Sequence, residues 1–338
     1  MTERTRYFLG RKDREEYAAA CGRIRAFEKR FLGRERLSDL SAAGDVPSAL
    51  RLLNRWGWMA GGDPPPDSRW GEVLTSSLWL SDHTLLKMDP RPVVTRLLVL
   101  KYDLLNLGAV CRARALGRPY DGPLHPRGWN GLSTLEVAFD RKDFSAYPGL
   151  LADELCDLAD LQEGGEAGNA AAAIAAARHR ALRKAADGEK SRFFCDWLDH
   201  AADLQNIAIA CRALAFPGFR ERRPPPFPGG HLGEKLSVHP ETPGDLRLLL
   251  AGTVYGPLFE ASLDREGGLR LSALEDGAAN FLTALLEPAR YVSLGPEPLW
   301  AYWLARENDA RNIRTILTGL EGEPGLGELP ASLRRPYV

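Results

Sequence analysis

One short pattern occurs three times along this chain of 338 residues. In each copy an Asp lies five residues after a Leu, an Asn follows three residues later, and an aliphatic residue comes directly after the Asn. The copies are about 100 residues apart, which is the size of a small domain and not of a short solenoid repeat. The pattern therefore predicts three similar units from an internal threefold repeat. Its polar residues are Asp103 and Asn106, Asp203 and Asn206, and Asp309 and Asn312.

The spacing of apolar residues predicts helices in all three units. Apolar side chains recur at steps of three and four, and no stretch sustains the period of two that is typical of strands. We expect an all-α fold in which each Asp and Asn pair lies on one long helix. The helix ends at Leu116 in the first copy, spans 191–216 in the second and begins at Pro298 in the third. The first is predicted to run unbroken for about 26 residues, or about 39 Å.

Two loops rich in Pro and Gly set the expected domain boundaries. Proline has no amide hydrogen and clashes with the preceding turn, so it does not continue a helix. Several prolines and glycines follow Leu116, and several more follow Phe216. We therefore predict three helical-bundle domains, at residues 1–118, 119–218 and 219–338.

The charge balance and the hydropathy pattern exclude two classes of partner. The 44 Lys and Arg residues are balanced in number by 45 Asp and Glu residues. The chain therefore lacks the positive field of a nucleic-acid-binding protein, and we expect no DNA or RNA partner. The longest run of small apolar residues, 170–177, is far shorter than the roughly 20 residues that cross a bilayer. Residues 1–11 lack a secretory signal, and five cysteines without a Cys-x-x-Cys pair fit a reducing cytoplasm. We expect a cytoplasmic protein without a transmembrane segment.

The sequence shows no recognisable catalytic centre. The segment 187–191 resembles the end of a phosphate-binding loop, but Glu189 separates its Gly from its Lys and the upstream Gly is missing. The six histidines are scattered, and none are paired four residues apart as in a helical zinc site. Cys111 and Cys211 occupy matching positions on apolar helix faces, where Cys acts as a small hydrophobe. We expect no catalytic residue, no metal and no cofactor.

The repeated Asp and Asn are the most informative polar residues. Residues three apart share one face of a helix, and both types are poor formers of helix interiors. Three recurrences therefore indicate a specific partner. We hypothesise that each Asn amide pins its long helix to the backbone of an adjacent helix or loop, with the Asp alongside. The alternative is that the pairs contact a partner protein directly.

Several separate motifs in the C-terminal third resemble one known family. In these motifs the chain resembles the C subunit of the bacterial and archaeal V/A-type rotary ATPases, which are also called V-type ATP synthases. The eukaryotic counterpart of that subunit is the d subunit. The resemblance extends towards the N-terminus, although Asp309 lies where the family usually has Glu. The motifs are Phe227-Pro228-Gly229-Gly230, Thr253-Val254-Tyr255-Gly256, Gly295-Pro296-Glu297-Pro298-Leu299, Glu307-Asn308-Asp309, Asn312-Ile313-Arg314 and Leu333-Arg334-Arg335-Pro336-Tyr337.

The resemblance implies a specific mechanical role. It implies a funnel or socket of three helical domains on the cytoplasmic end of the membrane proteolipid ring, which receives the tip of the central rotor shaft. The protein would then be a non-catalytic central-stalk coupling subunit of a V/A-type ATPase or ATP synthase that moves protons or sodium ions. The complex would hold it at the cytoplasmic face of the membrane. The alternative is a soluble helical-repeat scaffold that binds an unrelated protein.

Overall fold

The structure is a computed structural model of the chain. Within the described residues it consists of α-helices, short 3-10 helices and loops, with one isolated bridge between Leu263 and Leu269 and no strand. The predicted all-α fold is therefore confirmed. Residues 1–13, where we expect no secretory signal, lie outside the described part. The described residues are 14–59, 69–162, 170–221, 223–237, 240–322 and 333–338.

The α-helices of the described residues are numbered here in chain order. No helix among them has both the length and the hydropathy of a membrane span. Short 3-10 helices cover Glu15–Tyr17, Gly233–Ser237 and Glu287–Tyr291. The α-helices are α1 (Ala18–Glu28), α2 (Arg34–Ser41), α3 (Val46–Arg55), α4 (Trp70–Met88), α5 (Val93–Val99), α6 (Lys101–Ala115), α7 (Leu132–Asp140), α8 (Gly149–Gln162), α9 (Ala170–Gly188), α10 (Arg192–Ala215), α11 (Pro217–Glu221), α12 (Pro243–Leu250), α13 (Gly256–Ala261), α14 (Leu271–Leu286) and α15 (Glu297–Gly322).

The chain divides into two compact units. The first combines Met1–Thr95 with Ala279–Val338, and the second is Arg96–Ala278. The N-terminal and C-terminal portions of the sequence thus belong to one unit. The division into three domains at residues 118 and 218 stays a prediction.

The first unit is built around α15, a helix of 26 residues and about 39 Å. It packs against α1, α2, α3 and α4. Each fully buried Leu, Ile or Phe in such a core contributes on the order of 1.5–3 kcal/mol of transfer free energy. The buried side chains include Leu32, Leu40, Leu53, Trp58 and Leu78 from the N-terminal part and Ile313, Ile316 and Leu317 from α15.

A buried ion pair fixes the first turn of α15. Arg14 Nη2 lies 2.9 Å from Glu297 Oε1 and Nη1 lies 3.0 Å from Oε2, while the Glu297 side chain is fully buried. Gly295, two residues before Glu297, has φ +145°. A Cβ added at Gly295 would lie 2.5 Å from Glu297 Oε2. Removing one member of a buried pair leaves an uncompensated charge, which costs about 3–5 kcal/mol. The pair therefore joins the N-terminal part of the chain to α15.

The second unit is built around α9, which packs against α6, α8 and α10. The small side chains of α9 permit a close approach of α6. A Cβ added at Gly108 of α6 would lie 3.6 Å from the Cα of Ala171. The predicted long helices of the second and third copies are confirmed as α10 and α15. In the second copy, however, Pro217 and Gly218 begin the short helix α11 and do not end helical structure at once.

The prediction of one unbroken helix in the first copy is wrong, because α5 and α6 separate at Leu100. A side chain of α9 binds the backbone just before the break. Arg178 donates from Nε to the carbonyl oxygen of Leu97 (2.8 Å) and from Nη2 to that of Leu98 (3.0 Å). In a continuous helix these carbonyls accept from the amides four residues on. A guanidinium that binds them favours a break at this point.

Candidate functional site

The Asn side chains of the first two copies bind the backbone of the loop that follows their helix. Oδ1 of Asn106 accepts from the amide of His125 at 2.6 Å, and Nδ2 donates to the carbonyl of the same residue at 3.2 Å. Asn206 makes the same pair of bonds with Phe227, at 2.6 Å and 3.0 Å. We call this arrangement, in which one Asn amide binds both backbone groups of one residue, a clasp.

The third copy makes the same clasp. Asn312 accepts from the amide of Arg334 at 2.8 Å and donates to its carbonyl at 3.0 Å. The side chain of Asn312 is fully buried, and those of Asn106 and Asn206 are nearly so. A primary amide presents a donor and an acceptor side by side, which matches the two backbone groups of a single residue. Each such bond contributes about 1 kcal/mol net, whereas a buried group left without its partner costs about 1–3 kcal/mol.

The carboxylates of the first two copies bind backbone amides of the same loops. Asp103 Oδ1 accepts from Trp129 (2.8 Å) and Asn130 (2.9 Å). Asp203 accepts from His231 (2.9 Å, at Oδ2) and Leu232 (3.1 Å, at Oδ1). In both loops these amides come four and five residues after the clasped residue. The Asp and the Asn thus hold two successive parts of one loop against the helix.

Two glycines make room for this close approach. An added Cβ at Gly128 would overlap Nδ2 of Asn106, and one at Gly230 would overlap Oδ1 of Asp203. Gly230 also has φ +96°, a conformation that residues with a Cβ rarely adopt. A side chain at either position would therefore push the loop away from its helix.

The third carboxylate, Asp309, takes its donors from the N-terminal part of the chain. Its Oδ2 accepts from the amide of Leu32 at 3.1 Å and from the indole Nε1 of Trp58 at 3.2 Å. Arg306, one turn earlier on α15, places its guanidinium 3.5 Å from the centre of the Trp58 ring and donates to the Trp58 carbonyl. The clasp of Asn312 and the bonds of Asp309 thus hold two distant segments on one helix.

Burial changes the acidity of Asp309. The side chain is almost completely buried, and this desolvation raises the pKa of Asp309 to about 7, although the Leu32 amide and the charge of Arg306 act to lower it. Among the described residues, Oδ1 of Asp309 has no hydrogen-bond partner. A carboxyl group in this environment carries a proton more readily than an ordinary Asp.

A glycine that follows the Asp-bound amide is a signal that the sequence analysis missed. Leu32, Asn130 and Leu232 donate to the three Asp residues, and each is followed directly by Gly. In the first two cases that Gly is the N-cap of a helix, α2 or α7, and in the third it begins the 3-10 helix Gly233–Ser237. The segments 125–131 and 227–233 also share the pattern x-Pro-x-Gly-x-x-Gly. Comparison of the loops after the long helices would have found it.

The structure brings together two histidines that are far apart in sequence. Nε2 of His231, in the loop after α11, lies 3.2 Å from Oδ1 of Asp196, and Nε2 of His200 lies 3.9 Å from Oδ2 of the same carboxylate. Asp196 and His200 are one turn apart on α10. Burial and the neighbouring His231 lower the pKa of His200, which favours the neutral imidazole. The remaining histidines include His239, which lies outside the described residues.

Three other candidates from the sequence lie where they serve the fold: Cys111, Cys211 and segment 187–191. Burial raises the pKa of the thiols of Cys111 and Cys211 to about 12, and a protonated thiol is a poor nucleophile. Segment 187–191, which resembles a phosphate loop, is the junction between α9 and α10. Its Ser191 accepts from the amide of Phe194 at 3.4 Å as the N-cap of α10.

Comparison with known proteins assigns the chain to a family. A sequence model of the family described as ATP synthase (C/AC39) subunit matches residues 20–323. The C subunit of the V-type ATP synthase of Thermus thermophilus is 27% identical over 281 residues, which cover 79% of this chain and 83% of the relative. The protein of the same name from a second strain of Thermus thermophilus gives the same values. Because the family match covers most of the sequence and all three Asp and Asn pairs, the chain belongs to the ATP synthase (C/AC39) subunit family.

Proposed function

We propose that the protein is a non-catalytic central-stalk subunit that couples the rotor shaft of a V/A-type ATPase or ATP synthase to its membrane proteolipid ring. The family match over residues 20–323 carries this proposal, since the curated relatives are named as the C subunits of V-type ATP synthases. The proposal places the protein at the membrane surface through the complex. The internal threefold duplication is part of it, since three helices carry the same clasp.

The clasps support a mechanical role. A part that transmits torque needs helices that keep their positions under load. Each clasp binds a backbone segment to a helix through two hydrogen bonds at one residue, and each neighbouring Asp adds bonds to other residues. The Asp and Asn side chains are buried, so water has little access to the groups that hold the loops. Such contacts stiffen the chain where side-chain packing alone would allow sliding.

The surroundings of the polar groups favour a non-catalytic subunit. The buried thiols of Cys111 and Cys211 are held in the unreactive form, and the carboxylates of Asp103 and Asp203 are occupied by backbone amides. A catalytic centre instead presents titratable groups that converge on a cleft open to substrate. ATP hydrolysis and ion movement would then be the work of other subunits.

Recovery from membranes tests the assignment. An N-terminally tagged chain is expressed in its own cells in place of the untagged copy, and the membranes are solubilised in mild detergent. Affinity purification is expected to yield the proteolipid and the shaft subunits with the tagged chain, while a mock purification from cells with the untagged chain yields none. A chain recovered in the soluble fraction alone, without these subunits, would favour the scaffold that binds an unrelated partner.

The coupling role has a separate test in reconstituted vesicles. Complexes depleted of the chain are expected to hydrolyse ATP without ATP-driven ion uptake, and the purified chain is expected to restore uptake. Uptake that survives depletion would contradict coupling even if the chain co-purifies with the complex.

A further inference from the structure

We propose that Asp196, His200 and His231 form a binding site for a divalent transition-metal ion of the zinc type. The proposal stands on the geometry of the second unit and is independent of the rotary role. Two imidazole nitrogens and one carboxylate are a ligand set that zinc uses in proteins, with a fourth position left to water or to a partner's side chain.

The distances between the ligand atoms suit a single ion. One ligand atom from each of the three residues can be chosen so that all lie within 4.8 Å of one another. Zinc bonds to nitrogen and oxygen are about 2.0–2.2 Å long, so tetrahedral ligands are separated by about 3.4 Å. The distances from Asp196 to His231 and His200, 3.2 Å and 3.9 Å, bracket that value. His231, the exposed member of the three, is the side chain with the most freedom to turn towards an ion.

The hydrogen bonds behind His200 fix the tautomer that a metal needs. The hydroxyl of Tyr255 donates to Asp203 Oδ2 at 2.7 Å, which uses its one hydrogen. Nδ1 of His200 lies 2.6 Å from the same hydroxyl oxygen and must therefore be the donor. The lone pair of the neutral ring is then on Nε2, the nitrogen nearest to Asp196. Ligating histidines ordinarily bind such a partner through their other ring nitrogen.

Asp203 positions both histidines at once. It orients His200 through Tyr255, and it holds the loop by accepting from the backbone amide of His231 at 2.9 Å. The repeat carboxylate of the second copy therefore supports the proposed ligands without being one. An ion bound here would tie the loop that carries His231 to α10, beside the clasp of Asn206.

The other two copies provide an internal comparison. Asp196 and His200 precede the repeat Asp203 by seven and three residues. The matching positions are Arg96 and Leu100 in the first copy and Tyr302 and Arg306 in the third. None of these four offers an imidazole or a carboxylate. The ligand set is thus a feature of the second copy and is not required by the clasp.

Zinc titration of the full chain tests the proposal. The purified protein, with its tag removed, is stripped with a chelator, exchanged into metal-free buffer and titrated with zinc chloride in a calorimeter. We expect one ion per chain, and His231→Ala and Asp196→Asn are expected to weaken binding about a hundredfold or more. His83→Ala removes a histidine of α4 and is expected to bind as the wild type does.

Two further measurements separate a metal site from an ordinary hydrogen-bonded cluster. Tyr255→Phe keeps all three ligands but removes the group that orients His200, so about 10-fold to 100-fold weaker binding is expected. Zinc should also raise the melting temperature of the wild type but not of His231→Ala, and because His231 is the most exposed ligand, that variant should fold normally. Wild-type protein that binds no zinc, or variants that bind it with unchanged affinity, would overturn the proposal.

Discussion

Asp203 and Asp309 lie at the same position of the repeated pattern but hold different parts of the chain. Asp203 accepts from two amides of the loop that follows its helix and from Tyr255. Asp309 accepts instead from Leu32 and Trp58, which are 277 and 251 residues away. The Asn three residues later makes the same clasp in both copies. The Asn therefore holds the segment that follows its own helix, whereas the Asp binds an amide directly before a Gly that leads into a helix or a 3-10 helix, whether that amide is near in sequence or far away.

The largest expected effect comes from filling the space beside Asp203. In Gly230→Ala the new Cβ overlaps Asp203 Oδ1, and φ +96° is strained for alanine. We expect the free energy of unfolding of the second unit to fall by about 3 kcal/mol, which lowers its melting temperature by about 6–12 °C. Calorimetry of the full chain measures this.

Gly131→Ala is the matched control for that substitution. Nothing lies within 4 Å of its added Cβ, and its φ of −74° suits any residue. Because Ala is a poorer N-cap than Gly by about 1 kcal/mol, the melting temperature of this variant should fall by about 2–4 °C, which is less than the loss expected for Gly230→Ala. Equal losses in the two variants would show that the contact with Asp203 has no special weight.

Replacement of the clasp Asn should cost similar stability in the second and third copies, although the neighbouring carboxylates bind different segments. Asn206→Leu and Asn312→Leu each remove two hydrogen bonds to a part-buried backbone amide and carbonyl, so each is expected to lose about 2–3 kcal/mol of stability. Denaturant unfolding followed by circular dichroism measures both losses. Gln205→Ala changes an exposed neighbour on the same helix and should stay within about 0.5 kcal/mol of the wild type. An undiminished stability of either Leu variant would rule out the clasp as a structural pin.

The sequence predicts the helices well, because helices depend on local spacing. The helix predicted from Pro298 begins at Glu297, and the predicted helix at 191–216 is α10, Arg192–Ala215. All six repeat residues are buried on their helices. These features follow from hydrophobic periodicity and from the cost of placing Asp and Asn inside a helix.

What the sequence does not predict depends on contacts between distant residues. The break at Leu100 coincides with hydrogen bonds from Arg178, a side chain about eighty residues further along. The pairing of His200 with His231 depends on how the loop after α11 returns to α10, and no helical spacing encodes it. The donors to Asp309 come from the opposite end of the sequence. Each of these features depends on an interaction between residues that only folding brings together, and local sequence patterns do not predict it.

The smallest expected effect is a pH dependence of the free energy of unfolding that comes from Asp309. In the unfolded chain an Asp titrates near its ordinary pKa of about 4, whereas burial raises the pKa of Asp309 to about 7 in the folded protein. Between these values the folded state holds a proton that the unfolded state has lost. The contribution of Asp309 to stability is therefore largest below pH 4, falls as the pH rises to about 7, and is constant above that.

Asp309→Asn should remove this dependence, because the amide keeps an oxygen for Leu32 and Trp58 and never ionises. Its stability relative to the wild type should rise by about 2 kcal/mol between pH 5 and pH 7, as measured by denaturant unfolding at each pH. Asp203→Asn is the contrasting variant. Its amide hydrogens would face the donor groups of His231, Leu232 and Tyr255, so it should be destabilised at both pH values. A difference between wild type and Asp309→Asn that stays constant from pH 5 to pH 7 would show that Asp309 is ionised in the folded protein throughout that range.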